Sequence, residues 1–262
     1  MTIRSSIEIV RRQFRVVGAL FMREMITRYG REGLGFLWVI GEPLIFCLGV
    51  MGMWTLVKPE YEHGVRVGPF IMTGYMCLLL FRHVVSHNLS ALQANSGLMH
   101  HRGVRPLHIY ISRGLIEFAG STVAFVICYA ILFMMDLVQL PSNILLLYSG
   151  WVILGGLSFG FSLLFAALSI RFEVMERIVP VFMYLIIPFS GAFIMVDWLP
   201  PKYQELYLLI PMPHTVEMVR ASVFGEFVPT HYSPIYPMMW AAVTTVMGLL
   251  VLETSLSRVD ID

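Results

Sequence analysis

LGFLWVIGEPLIFCLGVMGMWTLV, residues 34 to 57, contains a single charged side chain, Glu42, and a single proline, Pro43. A helix needs about 20 mostly apolar residues to cross the hydrocarbon core of a bilayer, and this stretch supplies them without help from the rest of the chain. Further apolar runs fall at 67 to 87, 110 to 135, 144 to 170, 178 to 196 and 235 to 253. In the second run, Arg82, His83 and His87 lie near one end, where polar tips can snorkel to the interface. With 57% apolar residues, 13% charged residues and a mean hydropathy of +0.75 over 262 residues, the solvent for most of this chain is lipid. The expected fold class is therefore all-α integral membrane, with six transmembrane helices.

An even number of spans places both termini on one side, and the basic residues say which. Seven arginines precede residue 34, and under the six-span assignment 14 of the 18 Lys and Arg residues share one face. Only Lys58, Arg66, Lys202 and Arg220 fall opposite. The positive-inside rule makes the richer face cytoplasmic. The arginine-rich start has no long apolar run and is expected not to be a cleaved secretory signal. Net charge is +1, which offers nothing for a nucleic-acid partner. Cys47, Cys77 and Cys128 lie inside apolar runs without metal-ligand spacing and read as small buried hydrophobes.

Two segments depart from simple spans. Across residues 1 to 33, Ile7, Val10, Phe14, Val17, Phe21 and Met25 recur at helical spacing while Arg4, Glu8, Arg11, Arg12 and Arg15 occupy other faces. This pattern predicts an amphipathic helix in the cytoplasmic interface, serving as a lipid anchor or also touching a cytoplasmic partner. Residues 197 to 234 mix apolar pieces with Pro200, Pro201, Pro211, Pro213, Pro229 and Pro234. Prolines break helices, and broken backbone at membrane depth needs cover from protein or a water-filled cavity. The segment reads as a re-entrant extracytoplasmic element, with an ordinary proline-rich loop as the alternative.

Several chemistries are missing. His-Glu-x-x-His, Gly-x-Ser-x-Gly and the dinucleotide glycine fingerprint do not occur. A phosphate-binding loop needs lysine followed by Ser or Thr, whereas the two lysines, Lys58 and Lys202, precede Pro59 and Tyr203. No cofactor is expected in this chain, and any ATP and Mg would sit on a partner ATPase.

ALFMREMITRYGREGLGFLWVIGEP, residues 19 to 43, resembles the opening signature of type-2 ABC exporter permeases. LQANSGLMHHRGVRPLHIYISRGLIE, residues 92 to 117, and PMPHTVEMVRASVF, residues 211 to 224, are similar to later blocks of the capsular polysaccharide exporters, the KpsM-like permeases. At residues 102 to 106 the chain departs from that pattern, with Gly103 where a proline is expected. The resemblance implies a homodimer of six-span inner-membrane subunits bound to two cytoplasmic ATPase subunits. It implies export of a lipid-anchored acidic polysaccharide, together with a periplasmic polysaccharide co-polymerase or export adaptor. It also implies a coupling helix at residues 91 to 101, with Gln93, Asn95, Leu98 and Met99 as contacts to the ATPase. O-antigen, teichoic acid or a small lipophilic compound is the alternative cargo, and a polytopic membrane enzyme is the competing class.

Tyr29, Trp38, Glu42, Arg66, His214 and Arg220 are the candidates for a translocation pathway. Aromatic faces suit sugar C–H surfaces, and cations suit an acidic polymer. Interfacial belts and lipid-phosphate anchoring are the competing roles for the same residue types. Glu42 lies within an apolar run, where a carboxylate is costly, and could pair with Arg113, line a polar path or satisfy donors beside Pro43. Glu117 poses the same ambiguity.

Overall fold

A computed structural model describes residues 3–29, 35–100, 103–225 and 228–259. The chain is an all-α integral membrane protein. Its helices are α1 (Ile3–Tyr29), α2 (Gly35–Val57), α3 (Val67–Leu89), α4 (Pro106–Met134), α5 (Ile144–Arg171), α6 (Met175–Leu185), α7 (Pro201–Tyr207), α8 (Pro211–Phe224) and α9 (Ile235–Val259). A two-residue hairpin, Tyr61–Glu62 with Val65–Arg66, links α2 to α3.

Five helices, α2 to α5 and α9, are long and apolar enough to cross a membrane, close to where hydropathy placed them. The expected fifth span at 178 to 196 is not one helix. Its helical part, α6, has 11 residues, about 16 Å at 1.5 Å per residue, against a hydrocarbon core of about 30 Å. Pro188 offers no backbone N–H, and the chain passes through 3₁₀ turns at Ile187–Phe189 and Val196–Trp198 instead.

The helix α3 is the central post, with most of its residues buried beneath α2, α4, α5 and α8. A core of Met76, Leu80, Phe125, Trp151 and Leu154 fills the middle of the bundle. Two satellite clusters mark the ends. One gathers Leu20 of α1, Ala91, Tyr110 and Leu252, and the other gathers Val67, Phe70, Met195 and Trp198. The amino-terminal helix and the last turns of α9 therefore sit at one end of the molecule, called the basic end below.

The closest helix pair is α5 with α9. A Cβ at Gly160 would overlap the Thr244 hydroxyl and come within 2.9 Å of the Ala241 carbonyl oxygen. Only glycine lets these backbones meet, the usual device where no hydrophobic effect drives helices together in lipid.

The apolar face expected for α1 is only partly the face it buries. Leu20 and Glu24 point into the bundle, Val17, Phe21 and Met25 are half-buried, and Phe14 is 73% exposed. The reason is polar: the inward face is selected by the Glu24–Arg113 contact as much as by apolar area. The side chains of Ile7 and Val10 lie outside the described residues.

Candidate functional site

At the basic end, the connection between α3 and α4 forms a platform. Residues Gln93–His100 make two 3₁₀ turns that meet at a non-helical Asn95, with φ −121° and ψ 19°. The stretch expected as a coupling helix is thus a kinked pair of turns, consistent with the low helix propensity of Asn95, Ser96 and Gly97. His101 lies outside the described residues.

Asn95 is buried and acts as the keystone. Its Nδ2 donates to the Ala91 carbonyl at 3.0 Å, and its Oδ1 accepts from Arg23 Nη1 of α1 at 2.9 Å. Gln93 is exposed, and its Nε2 donates to Glu176 Oε1 of α6 at 2.5 Å. Leu98 and Met99 are half-buried against the cluster containing Ala91, Ile109 and Tyr110. The outward surface of the platform belongs to Gln93, Ala94, Ser96 and Gly97.

Behind the platform, α1 is fastened to α4. Arg113 Nε lies 2.8 Å from Glu24 Oε1, with both side chains nearly buried. Arg113 Nη1 also donates to the His87 carbonyl in the last turn of α3 at 3.0 Å, where the helix leaves carbonyls in need of donors. His108 Nδ1 accepts from the Arg105 N–H at 3.1 Å, so its Nε2 carries the proton and donates to Gln13 Oε1 of α1 at 2.5 Å. Glu117 is buried, 3.4 Å from His87 Nδ1. Arg113 therefore meets Glu24, not Glu42.

The second constellation surrounds α8. Arg220 is fully buried. Its Nη2 donates to the Ala192 carbonyl at 2.7 Å, and its Nη1 donates to the Ile194 carbonyl at 3.1 Å. The guanidinium also stands 4.1 Å from the centre of the Phe70 ring and 3.7 Å from Glu217 Oε1. The other Glu217 oxygen accepts from the His231 N–H at 3.3 Å. The broken fifth crossing is thus held by a buried cation that takes up two of its loose carbonyls. Gly74 on α3 makes the approach possible, since a Cβ there would strike both the Ala192 carbonyl and the guanidinium.

His214 is also buried. Its Nδ1 accepts from the Ser233 N–H at 3.0 Å and its Nε2 donates to the Leu208 carbonyl at 2.8 Å, which specifies the neutral ring. Thr215 and Met218 lie against Gly150 of α5, and Ser222 takes hydrogen bonds from Ser142 at the start of α5, so α8 runs inside the bundle alongside α5.

The remaining pathway candidates are dispersed. Arg66 lies at the end opposite α1, with Nε donating to the Tyr61 hydroxyl at 2.7 Å and Nη1 donating to the Asp136 carbonyl at 2.6 Å. Trp38 is 56% exposed on α2, and half-buried Glu42 follows one turn later on the same side. The Tyr29 side chain lies outside the described residues. Trp54 stacks on Phe193, Trp198 packs on Phe70, and Tyr207 donates to the Pro188 carbonyl, so these aromatics brace the broken crossing. Sequence reasoning missed Arg23, Glu24 and Glu217. Only the i, i+3 spacing of Glu217 and Arg220 was there to be read. Among the described residues, no three His, Cys, Asp or Glu side chains are grouped to hold a metal.

Residues 15–224 match the ABC-2 type transporter family. The chain is 35% identical to the capsule polysaccharide export inner-membrane protein CtrC of Neisseria meningitidis serogroup B, over 90% of this chain and 89% of that one. It is 35% identical to the capsule polysaccharide export inner-membrane protein BexB of Haemophilus influenzae, over 84% and 83% of the two chains. With the polysialic acid transport protein KpsM of Escherichia coli it shares 28% identity over 91% and 92%. The bundle with its platform at one end and its covered broken crossing at the other accordingly belongs to an established line of membrane permeases: this chain is a member of the ABC-2 type transporter family.

Proposed function

We propose that this chain is the membrane subunit of an ABC exporter that moves a capsular polysaccharide across the inner membrane, with ATP hydrolysed on a separate subunit. The observation that carries this reading is likeness along nearly the whole of both chains to capsule polysaccharide export inner-membrane proteins, in a sequence with no phosphate-binding lysine.

The working unit we infer contains two copies of this chain and two ATPase subunits, with a co-polymerase or export adaptor on the far side. Support for a second copy comes from α2, whose outward side carries Trp38, Glu42, Ile45, Phe46 and Met53 and is little covered by its own subunit. A carboxylate on a lipid-facing side is costly, so that side calls for a protein or aqueous neighbour. The cargo is a lipid-anchored acidic polymer, with Trp38 and Glu42 beside its path. Arg66, His214 and Arg220 serve that path by holding its wall rather than by touching sugar. The basic end faces the cytoplasm, since it gathers α1, the platform and the last turns of α9. A cysteine replacing Ser257 is expected to react with a membrane-impermeant thiol reagent only after the inner membrane is opened. Labelling in intact periplasm-accessible cells would reverse the orientation.

The platform is the contact surface for the ATPase. In a strain deleted for this gene, wild-type protein should restore surface polymer. The exposed double variant Ala94→Asp, Gly97→Asp should reach normal membrane abundance yet lose ATPase co-purification and retain polymer in the cytoplasm, because a contact that buries two new carboxylates is strongly opposed. On a freely solvated loop such substitutions stay within about 0.5 kcal/mol. Export unaffected by the variant ends the platform assignment, and surface polymer persisting in the deletion strain ends the exporter reading.

A further inference from the structure

Two charged side chains of opposite sign stand in the spanning helices without a polar partner in their own subunit. Glu42 of α2 and Arg82 of α3 are both half-buried, and among the described residues neither makes a hydrogen bond or an ion pair. Ionisable groups inside a bilayer are rare and are almost always paired. The Arg82 guanidinium stands 5.0 Å from the centre of the Tyr184 ring of α6. A ring engages the face of a guanidinium and leaves its N–H groups, which suit a carboxylate, without an acceptor.

The two charges lie at nearly one depth. A Cβ at Gly114 of α4 would come within 3.7 Å of Asn88 Nδ2 on α3, and six residues further in, Gly120 meets Val39 of α2. Six residues before Asn88 on the antiparallel α3 is Arg82, so Val39 and Arg82 are level. Glu42 is three residues deeper, about 4.5 Å at 1.5 Å per residue and within the length of an arginine side chain. Each charge also sits on a side of its helix that the subunit leaves open. Glu42 shares the outward side of α2 with Trp38, Ile45 and Phe46. On α3 every residue from 67 to 81 except Tyr75 is buried, and Arg82 follows Tyr75 by two turns on the same side. Next to it, Val181, Tyr184 and Leu185 give α6 an exposed apolar face.

We propose that Glu42 of one copy pairs with Arg82 of the second copy, and Arg82 with Glu42, so that α2 of each copy seats on α3 and α6 of the other. A two-fold axis makes the contact reciprocal, which is why one chain carries both complementary faces. The proposal rests on the two-copy working unit and names its interface together with the pair that fixes its register. A slip of one helical turn would strand both charges in an apolar seam, so only one register is allowed.

The test co-expresses two differently tagged full-length copies and measures how much of one co-purifies with the other from detergent-solubilised membranes. With Glu42→Arg in both copies, or Arg82→Glu in both, like charges meet at both pairs and co-purification should fall by at least roughly ten-fold. With Glu42→Arg in one copy and Arg82→Glu in the other, each pair again joins opposite charges, and co-purification should return to within about two-fold of wild type. Rescue by the two changes placed in one chain, but not by this mixture, would put the pair inside one copy and overturn the proposal. Full co-purification of the single variants overturns it as well, including the case in which export alone is lost, which would assign the charges to cargo. Where a charge-reversed copy fails to reach the membrane, Glu42→Cys in one copy and Arg82→Cys in the other should be joined by a short bifunctional thiol reagent. Failure to form that mixed cross-link between copies that co-purify overturns the interface. If tagged wild-type copies do not co-purify at all, the two-copy reading falls and the pair falls with it.

Discussion

Arg220→Met is expected to lower stability by about 3 to 5 kcal/mol, the range for removing one member of a buried ion pair. The guanidinium is wholly enclosed, so its loss strands the Glu217 carboxylate and the Ala192 and Ile194 carbonyls together. Methionine comes close to replacing the volume but replaces no donor. Arg220→Lys should recover little, since one ammonium cannot serve two carbonyls, a carboxylate and the Phe70 face in the planar geometry that arginine uses. Adding Glu217→Gln to Arg220→Met should restore part of the loss by removing the stranded charge. The readout is the thermal midpoint of purified protein in detergent. A wild-type midpoint for Arg220→Met would falsify the claim that this residue holds the crossing.

The second large effect lies at the other end. Glu24→Ala should cost about 3 kcal/mol, because Arg113 is left buried without the carboxylate that stands 2.8 Å away. Its consequence is directional: α1 loses its hold on α4, and Arg23, the neighbouring residue on α1, loses its placement against Asn95. The variant should show faster proteolysis within α1. It should also lose ATPase co-purification even though no platform residue has changed. Replacing both Glu24 and Arg113 by leucine should cost less than the sum of the single changes, as coupled partners do. Additive losses would show that the two side chains do not act as a pair.

How much of this could be read from the sequence depends on the range of the interaction. The run from residue 34 to 57 became α2 within a residue, and the four other long helices were placed nearly as well, because burial in lipid depends on composition alone. The run at 178 to 196 is just as apolar, yet it breaks at Pro188 and survives through cover supplied by Arg220, and hydropathy does not distinguish a helix from covered coil. The kink at Asn95 was hidden for a different reason, since its partner Arg23 lies 72 residues away. Glu24 and Arg113 are likewise far apart along the chain, and the basic character that marked orientation said nothing about which arginine turns inward. His214 and Arg220 read as candidate cations for an acidic polymer, and only their hydrogen bonds to backbone show that both are tied into the fold.

The enclosed arginine also constrains how the protein is made. Helices α2 to α5 and α9 can partition into the bilayer one by one as they leave the ribosome, whereas an arginine placed near the membrane centre on a lone helix costs about 2.5 to 3.5 kcal/mol on insertion scales. The acceptors for Arg220 lie in residues 192 to 194, and the glycine that admits it lies on α3. The stretch from α6 to α8 therefore cannot settle during its own synthesis independently of what precedes it. It docks onto an assembled α3 and α5, and α9, whose glycine-tight seam with α5 follows in the chain, closes behind it. Biogenesis of this permease thus has an expected order, in which α3 stands in the membrane before Arg220 and its carbonyl partners fold against it.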